Sequence, residues 1–110
     1  MEPSFENAVR FAQELIRLPS PSGEEEAVAR RILEEMESLG FQDVRLDRAG
    51  NAIGVIRGTG RGPSVLLNCH TDVVAAGDPR EWEYPPYAGV VEGGVLHGRG
   101  AMDIKGPLAL

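Results

Sequence analysis

The pattern of apolar positions changes period three times along this chain. Phe5, Ala8, Val9, Ala12, Leu15 and Ile16 recur at helical spacing and form one apolar stripe. Ser4 stands where an N-cap belongs, and Pro19 and Pro21 force the helix to end near Leu18. Ser22-Gly23-Glu24-Glu25 reads as a capping box opening a second helix, with glutamates in its first turn to suit the dipole. Val28, Ile32, Met36 and Leu39 carry the buried face of that helix, and Gly40 is its left-handed stop.

The period then drops to two. Val44, Leu46, Ala52, Gly54 and Ile56 alternate across a turn at 48–51, which predicts an antiparallel hairpin. A glycine-rich loop covers 58–63. Ser64 to Cys69 (SVLLNC) is almost wholly apolar, which predicts a central strand covered on both faces. A long loop follows from Ala75 to Tyr87. Val90-Val91 and Val95-Leu96 flank Glu92-Gly93-Gly94 and predict a second small hairpin. From Ala101 the pattern turns helical again and runs to Leu110, leaving Ile104, Leu108, Ala109 and Leu110 little length with which to dock. The apolar run is therefore expected to lack part of its cover, which would leave the isolated chain marginal and prone to aggregation.

Composition narrows the function classes. The 110 residues suit one small domain, and 42% hydrophobic content is globular. A net charge of −6 argues against nucleic acid as a partner, because no basic stripe exists to neutralise phosphates. No apolar run approaches the roughly 20 residues that span a bilayer. The first residues, MEPSFENAVRF, lack the basic start and apolar core of a signal peptide. A single cysteine, Cys69, excludes an internal disulfide and fits a reducing compartment. The expectation is a cytoplasmic protein with no membrane partner.

Two acid-bearing segments carry the candidate chemistry. His70 and Asp72 stand at i and i+2 directly after the apolar run, and on a continuing strand they share a face. A metal-bound histidine commonly gives its other ring N–H to a carboxylate or carbonyl, so His-x-Asp supplies both parts locally. A capped strand end with a solvated His and Asp is the simpler alternative. Asp103 follows Gly98-Arg99-Gly100, where glycines let the backbone approach a ligand closely. An acid serving a helix dipole would look the same.

Bland roles suffice for other residues. Cys69 points away from His70 on a strand and reads as a small buried hydrophobe. His97 reads as structural, and Arg99 and Lys105 as ion-pair partners. Trp82, Tyr84 and Tyr87 either line a cleft or pack a loop.

Taken together, H-T-D-V-V (70–74), G-D-x-x-x-W-x-x-x-P-Y (77–87) and G-R-G-A-M-D-I-K-G (98–106) resemble the M20 family of zinc-dependent peptidases and deacylases. That family includes acetylornithine deacetylase, succinyl-diaminopimelate desuccinylase, aminoacylase and carboxypeptidases. The resemblance implies an α/β fold, a three-layer α-β-α catalytic domain with a mixed central sheet, of which residues 1–110 would be the N-terminal part. It implies His70 as a ligand of one zinc, Asp72 as the catalytic acid that orients it, and Asp103 as the bridge between two zincs. It also implies a cis Asp103-Ile104 peptide. Cobalt or manganese would suit the same ligands.

The implied reaction is hydrolysis of an amide or peptide bond in a small-molecule N-acyl amino acid or short peptide. The family's Glu-Glu pair, a further acidic ligand, a distal histidine and a dimerisation domain have no counterpart in these residues. The full-length parent would be a homodimer. The chain alone is then expected not to turn over, and the alternative reading is a truncated piece acting at most in binding or structure. Ala75 stands where the family commonly has proline after D-V-V, which leaves the subfamily open.

Overall fold

The computed structural model describes residues 4–110; the first three residues of the stretch read for a signal peptide lie outside it. Helix α1 (Phe5–Ile16) starts where Ser4 accepts a hydrogen bond from the Asn7 amide, at 3.1 Å. Helix α2 (Glu26–Ser38) ends at Gly40, whose φ of +80° lets the Phe41 amide reach back to the Met36 carbonyl at 2.9 Å.

The start of α2 differs from the expectation. Its N-cap is Glu25, which makes no side-chain cap bond, and the helix begins after the predicted box. Glu25 instead accepts from the Gly23 amide at 2.9 Å, within the preceding turn. Ser22 is hydrogen-bonded elsewhere, to Asp72.

The first hairpin pairs β1 (Gln42–Leu46) with β2 (Ala52–Val55), with Leu46 opposite Ala52. Asp47 builds the turn. Its carboxylate accepts from the amides of Ala49 and Asn51 and from the Asn51 side chain, and Gly50 takes φ +88°. The second pairs β3 (Val90–Glu92) with β4 (Val95–His97) around Gly93 and Gly94, whose φ of 58° and 78° suit a tight hairpin. Between the hairpins, Pro79–Glu81 forms a single 3-10 turn capped by Asp78.

The core lies between the two helices. Phe11, Leu15, Val28 and Ile32 are buried together, with Leu18, Met36 and Ala52 packed against them. The last turn, α3 (Gly106–Ala109), docks here after all: Leu108 and Ala109 cover the same cluster, while Leu110 stays exposed. Arg31 closes one side. It bonds to Glu14 and to buried Glu35 and lies 4.9 Å over the Phe11 ring. Phe5, placed on the stripe by periodicity, is exposed, and Phe11 takes the buried position.

The helices and short strands make a small α/β fold, and the expected sheet is where it departs from the reading above. Among the described residues the strands form two separate two-stranded antiparallel sheets, without the mixed central sheet or the three layers. Ser64 to Cys69 is not a strand there. Val65, Leu66 and Leu67 are 80%, 87% and 88% exposed, and Cys69 is exposed rather than buried. The physical reason is the absence of partners: an apolar run becomes a central strand only when flanking strands take its amides and two layers take its side chains. None of the described residues offers either. The radius of gyration, 15.0 Å, exceeds the about 13 Å usual for a compact chain of this length, in keeping with that unpacked run. Among the described residues no helix is long and apolar enough to cross a membrane.

Candidate metal half-site

His70, Asp72 and Asp103 converge although the strand before them does not form. The segment after Cys69 is held from the side by the linker between α1 and α2. The Val73 amide donates to the Ser20 carbonyl at 2.9 Å, and the Ser20 hydroxyl donates to the Thr71 carbonyl at 2.7 Å. Ser20 is fully buried, so both bonds lie away from competing water. Val73 is buried as well and anchors the segment to the protein body.

The acid-bearing turn is brought up to the same place by its glycines. Gly100 has φ +83°, and a Cβ there would meet Val73 Cγ1 at 2.7 Å; a Cβ at Gly98 would meet Ile16 Cγ2 at 2.6 Å. The glycines thus allow the turn to lie directly against the His70–Val73 segment and α1, a closer role than the predicted approach to a ligand. Beyond them, Ala101–Lys105 is wound but broken at Asp103 and Ile104, whose angles are non-helical, and the Asp103-Ile104 peptide is cis.

Lys105 fastens this turn from below. It is 1% exposed, and its ammonium donates to the carbonyls of Leu15 (2.8 Å) and Leu18 (2.7 Å), at the C-terminal end of α1. Among the described residues it forms no ion pair, contrary to the sequence reading. The carbonyl end of a helix is a favourable seat for a cation, yet burial still pulls the Lys105 pKa down to about 8. Arg99, also without a carboxylate partner among the described residues, stacks 4.9 Å over the Trp82 ring.

At the site itself, His70 Nε2 lies 2.8 Å from Asp103 Oδ1. His70 Nδ1 lies 2.9 Å from the Asp72 carbonyl oxygen and 3.3 Å from Asp72 Oδ1. Both ring nitrogens therefore face oxygen acceptors. The Asp103 carboxylate at Nε2, and then the Asp72 carbonyl at Nδ1, raise the His70 pKa. Asp72 is held below the usual carboxylate range, chiefly by the hydroxyl of Ser22 at 2.5 Å. The side chains of His70 and Asp103 are 49% and 81% exposed, so the pair opens to solvent. They border a shallow cavity of about 190 Å³ with Asp72, Arg99 and Met102.

The donor chemistry suits a divalent cation as far as it goes. With Nδ1 turned to Asp72, Nε2 is the nitrogen left to bind, and the gap between it and Asp103 Oδ1 is the place a cation would take between imidazole and carboxylate. The set stops at two donors. Among the described residues no group of three or more His, Cys, Asp or Glu could hold a metal.

The remaining candidates fall outside. His97 packs its ring against Tyr84, centroids 4.4 Å apart. Trp82 donates to the Ala76 carbonyl at 2.9 Å and packs the loop. Neither they nor Tyr87 line the cavity. Ser20 and Ser22 were missed as site residues. Their signal was faint: serines alternating with prolines, which carry no amide proton of their own.

Residues 66–110 match the family model of Peptidase family M20/M25/M40. The chain is 39% identical over 101 residues, 91% of its length, to the uncharacterized protein YgeY of Escherichia coli (strain K12). It is 41% identical to the succinyl-diaminopimelate desuccinylase of Methylobacterium sp. (strain 4-46), over 97% of its length. Against the desuccinylase of Blochmanniella pennsylvanica the figures are 37% and 96%. The chain spans only 24%, 28% and 29% of these relatives, about a quarter of their length.

Proposed function

Because this chain belongs to the M20 peptidase family, we propose that it is the N-terminal part of the catalytic domain of a metal-dependent hydrolase of amide bonds. The substrate class we favour is an N-acyl amino acid, ahead of a short peptide, since two of the relatives are named desuccinylases. The proposed cofactor is zinc, two ions in the complete enzyme, which would act as a homodimer.

The observation that carries this reading is the pairing of His70 Nε2 with Asp103 Oδ1 at 2.8 Å while Nδ1 is occupied by Asp72. In the proposal His70 Nε2 and the Asp103 carboxylate would hold the metal, and Asp72 would fix the ring. Zinc bound there supplies Lewis acidity and activates water near neutral pH. Catalytic zinc sites use three protein ligands and an open position. Two donors therefore need others from outside the described residues, as does the general base.

The test is a hydrolysis screen of the zinc-loaded full-length parent against N-succinyl and N-acetyl amino acids and dipeptides. Asp103→Ala should abolish both turnover and most metal retention. Asp72→Asn should keep much of the metal at saturating zinc yet lose most of the activity. His97→Ala should stay within a few-fold of the parent. Parent-like turnover by Asp103→Ala would end the reading.

A further inference from the structure

The linker between α1 and α2 contains a hydroxyl whose placement the fold alone does not explain. Ser22 lies three residues ahead of Glu25, the N-cap of α2, yet it caps nothing there, and α2 starts without any side-chain cap. Its Oγ lies 2.5 Å from Asp72 Oδ2, across 50 residues of chain. An ionised carboxylate carries no proton, so the hydroxyl donates, in a short charge-assisted bond.

We propose that Ser22 is a positioning residue for the half-site: by holding Asp72 Oδ2 it turns Oδ1 toward His70 Nδ1 and so keeps Nε2 as the nitrogen open to a cation. This rests on the reading of His70 and Asp103 as metal donors.

The geometry runs in one direction. A carboxylate on a single Cα–Cβ arm can swing both oxygens away from a neighbouring ring. One oxygen tied to Ser22 removes that freedom, and the other then stands 3.3 Å from His70 Nδ1, beside the Asp72 carbonyl at 2.9 Å. Two acceptors on one edge of the imidazole favour a proton on Nδ1, in competition with the Asp103 carboxylate 2.8 Å from Nε2. Ser22 is itself exposed, but its linker is not adrift. Two residues earlier, fully buried Ser20 makes two hydrogen bonds to Thr71 and Val73, the residues flanking Asp72. The backbone of the linker is thus registered to the backbone of the His70–Val73 segment, and Ser22 adds the side-chain contact at the residue between.

Ser22→Ala removes the bond and Ser22→Thr retains a hydroxyl. Nitrogen-15 spectra of the neutral His70 ring, recorded on the metal-free protein in an Asp103→Ala background where no carboxylate competes for a proton on Nε2, report the tautomer. Zinc titration reports the site, and the thermal midpoint reports the fold. In that background the chain with Ser22 and the chain with Ser22→Thr should both show the Nδ1–H tautomer. Ser22→Ala should show a mixture and bind zinc about ten-fold more weakly, the lower range for loss of a group supporting a metal ligand, at a nearly unchanged midpoint. Ser22→Ala added to Asp72→Asn should weaken zinc no further, because both act through one carboxylate. A parent-like tautomer in Ser22→Ala, or additive losses in the double variant, overturns the proposal. Should zinc binding be indifferent to His70→Ala and Asp103→Ala, the metal reading falls; the tautomer comparison still decides the role of Ser22.

Discussion

Two stretches of this chain are comparably apolar and end in opposite states. Around α1, Leu15 and Ile16 are fully buried. Fifty residues on, Leu66 and Leu67 stand almost wholly in water. Hydropathy does not separate them; partners do. Helix α1 satisfies its own amides internally and needs only a facing surface, which α2 and α3 supply. The Ser64 to Cys69 run must borrow hydrogen bonds from neighbouring strands before burial becomes favourable. The candidate site follows the first region. His70 and Asp72 were expected to project from the end of that run, but hydrogen bonds from the α1–α2 linker and the packing of Val73 hold them in place.

The contrast can be broken at its strongest point first. Leu15→Ala should lose about 2–5 kcal/mol in urea unfolding, the range for emptying a filled core position. A loss under about 1 kcal/mol would mean that the helical region is not the folding core. Gly100→Ala tests whether site and core share one packing surface. With φ at +83° and Val73 Cγ1 at 2.7 Å from the new Cβ, it should cost about 1–3 kcal/mol and weaken zinc binding together. A stability loss with unchanged zinc affinity would separate the two.

Lys105 tests the anchoring of the turn to α1. Lys105→Met takes the buried donor from the Leu15 and Leu18 carbonyls, of which Leu15 keeps the Leu18 amide at 3.2 Å, and should cost about 1–3 kcal/mol. The pH dependence has a definite sign. The folded pKa of about 8 lies below the ordinary 10.5, so between those values the unfolded chain binds more protons. Stability from this group should therefore rise as pH climbs from 8 toward 10.5 and be flat below 8. Lys105→Met should remove that rise. A rise of the same size in the variant would show that another group is responsible. At the bottom of the scale, Leu66→Ala should change unfolding stability by less than about 0.5 kcal/mol. A loss of core size there would show that the run is buried in solution.

What could be read from sequence follows the same division. Local rules located Ser4 as a cap, Gly40 as a stop and Gly93-Gly94 as a turn, because each depends on a few neighbouring residues. The capping box failed because Ser22 had a distant competitor, Asp72, which no local rule contains. Lys105 was misread as an ion-pair partner because its acceptors are backbone carbonyls, and every residue type carries those. The residue types and spacing of His70, Asp72 and Asp103 were legible. What holds them together was not, since it consists of two serines, two glycines and a lysine placed by tertiary packing.

The most direct test of the half-site is a crystal of the protein grown with zinc and measured at the zinc absorption edge. The account predicts an anomalous peak within about 2.0–2.2 Å of both His70 Nε2 and an Asp103 carboxylate oxygen, with Nδ1 still turned to Asp72. A zinc peak on Nδ1, or one that leaves Asp103 out, would contradict it.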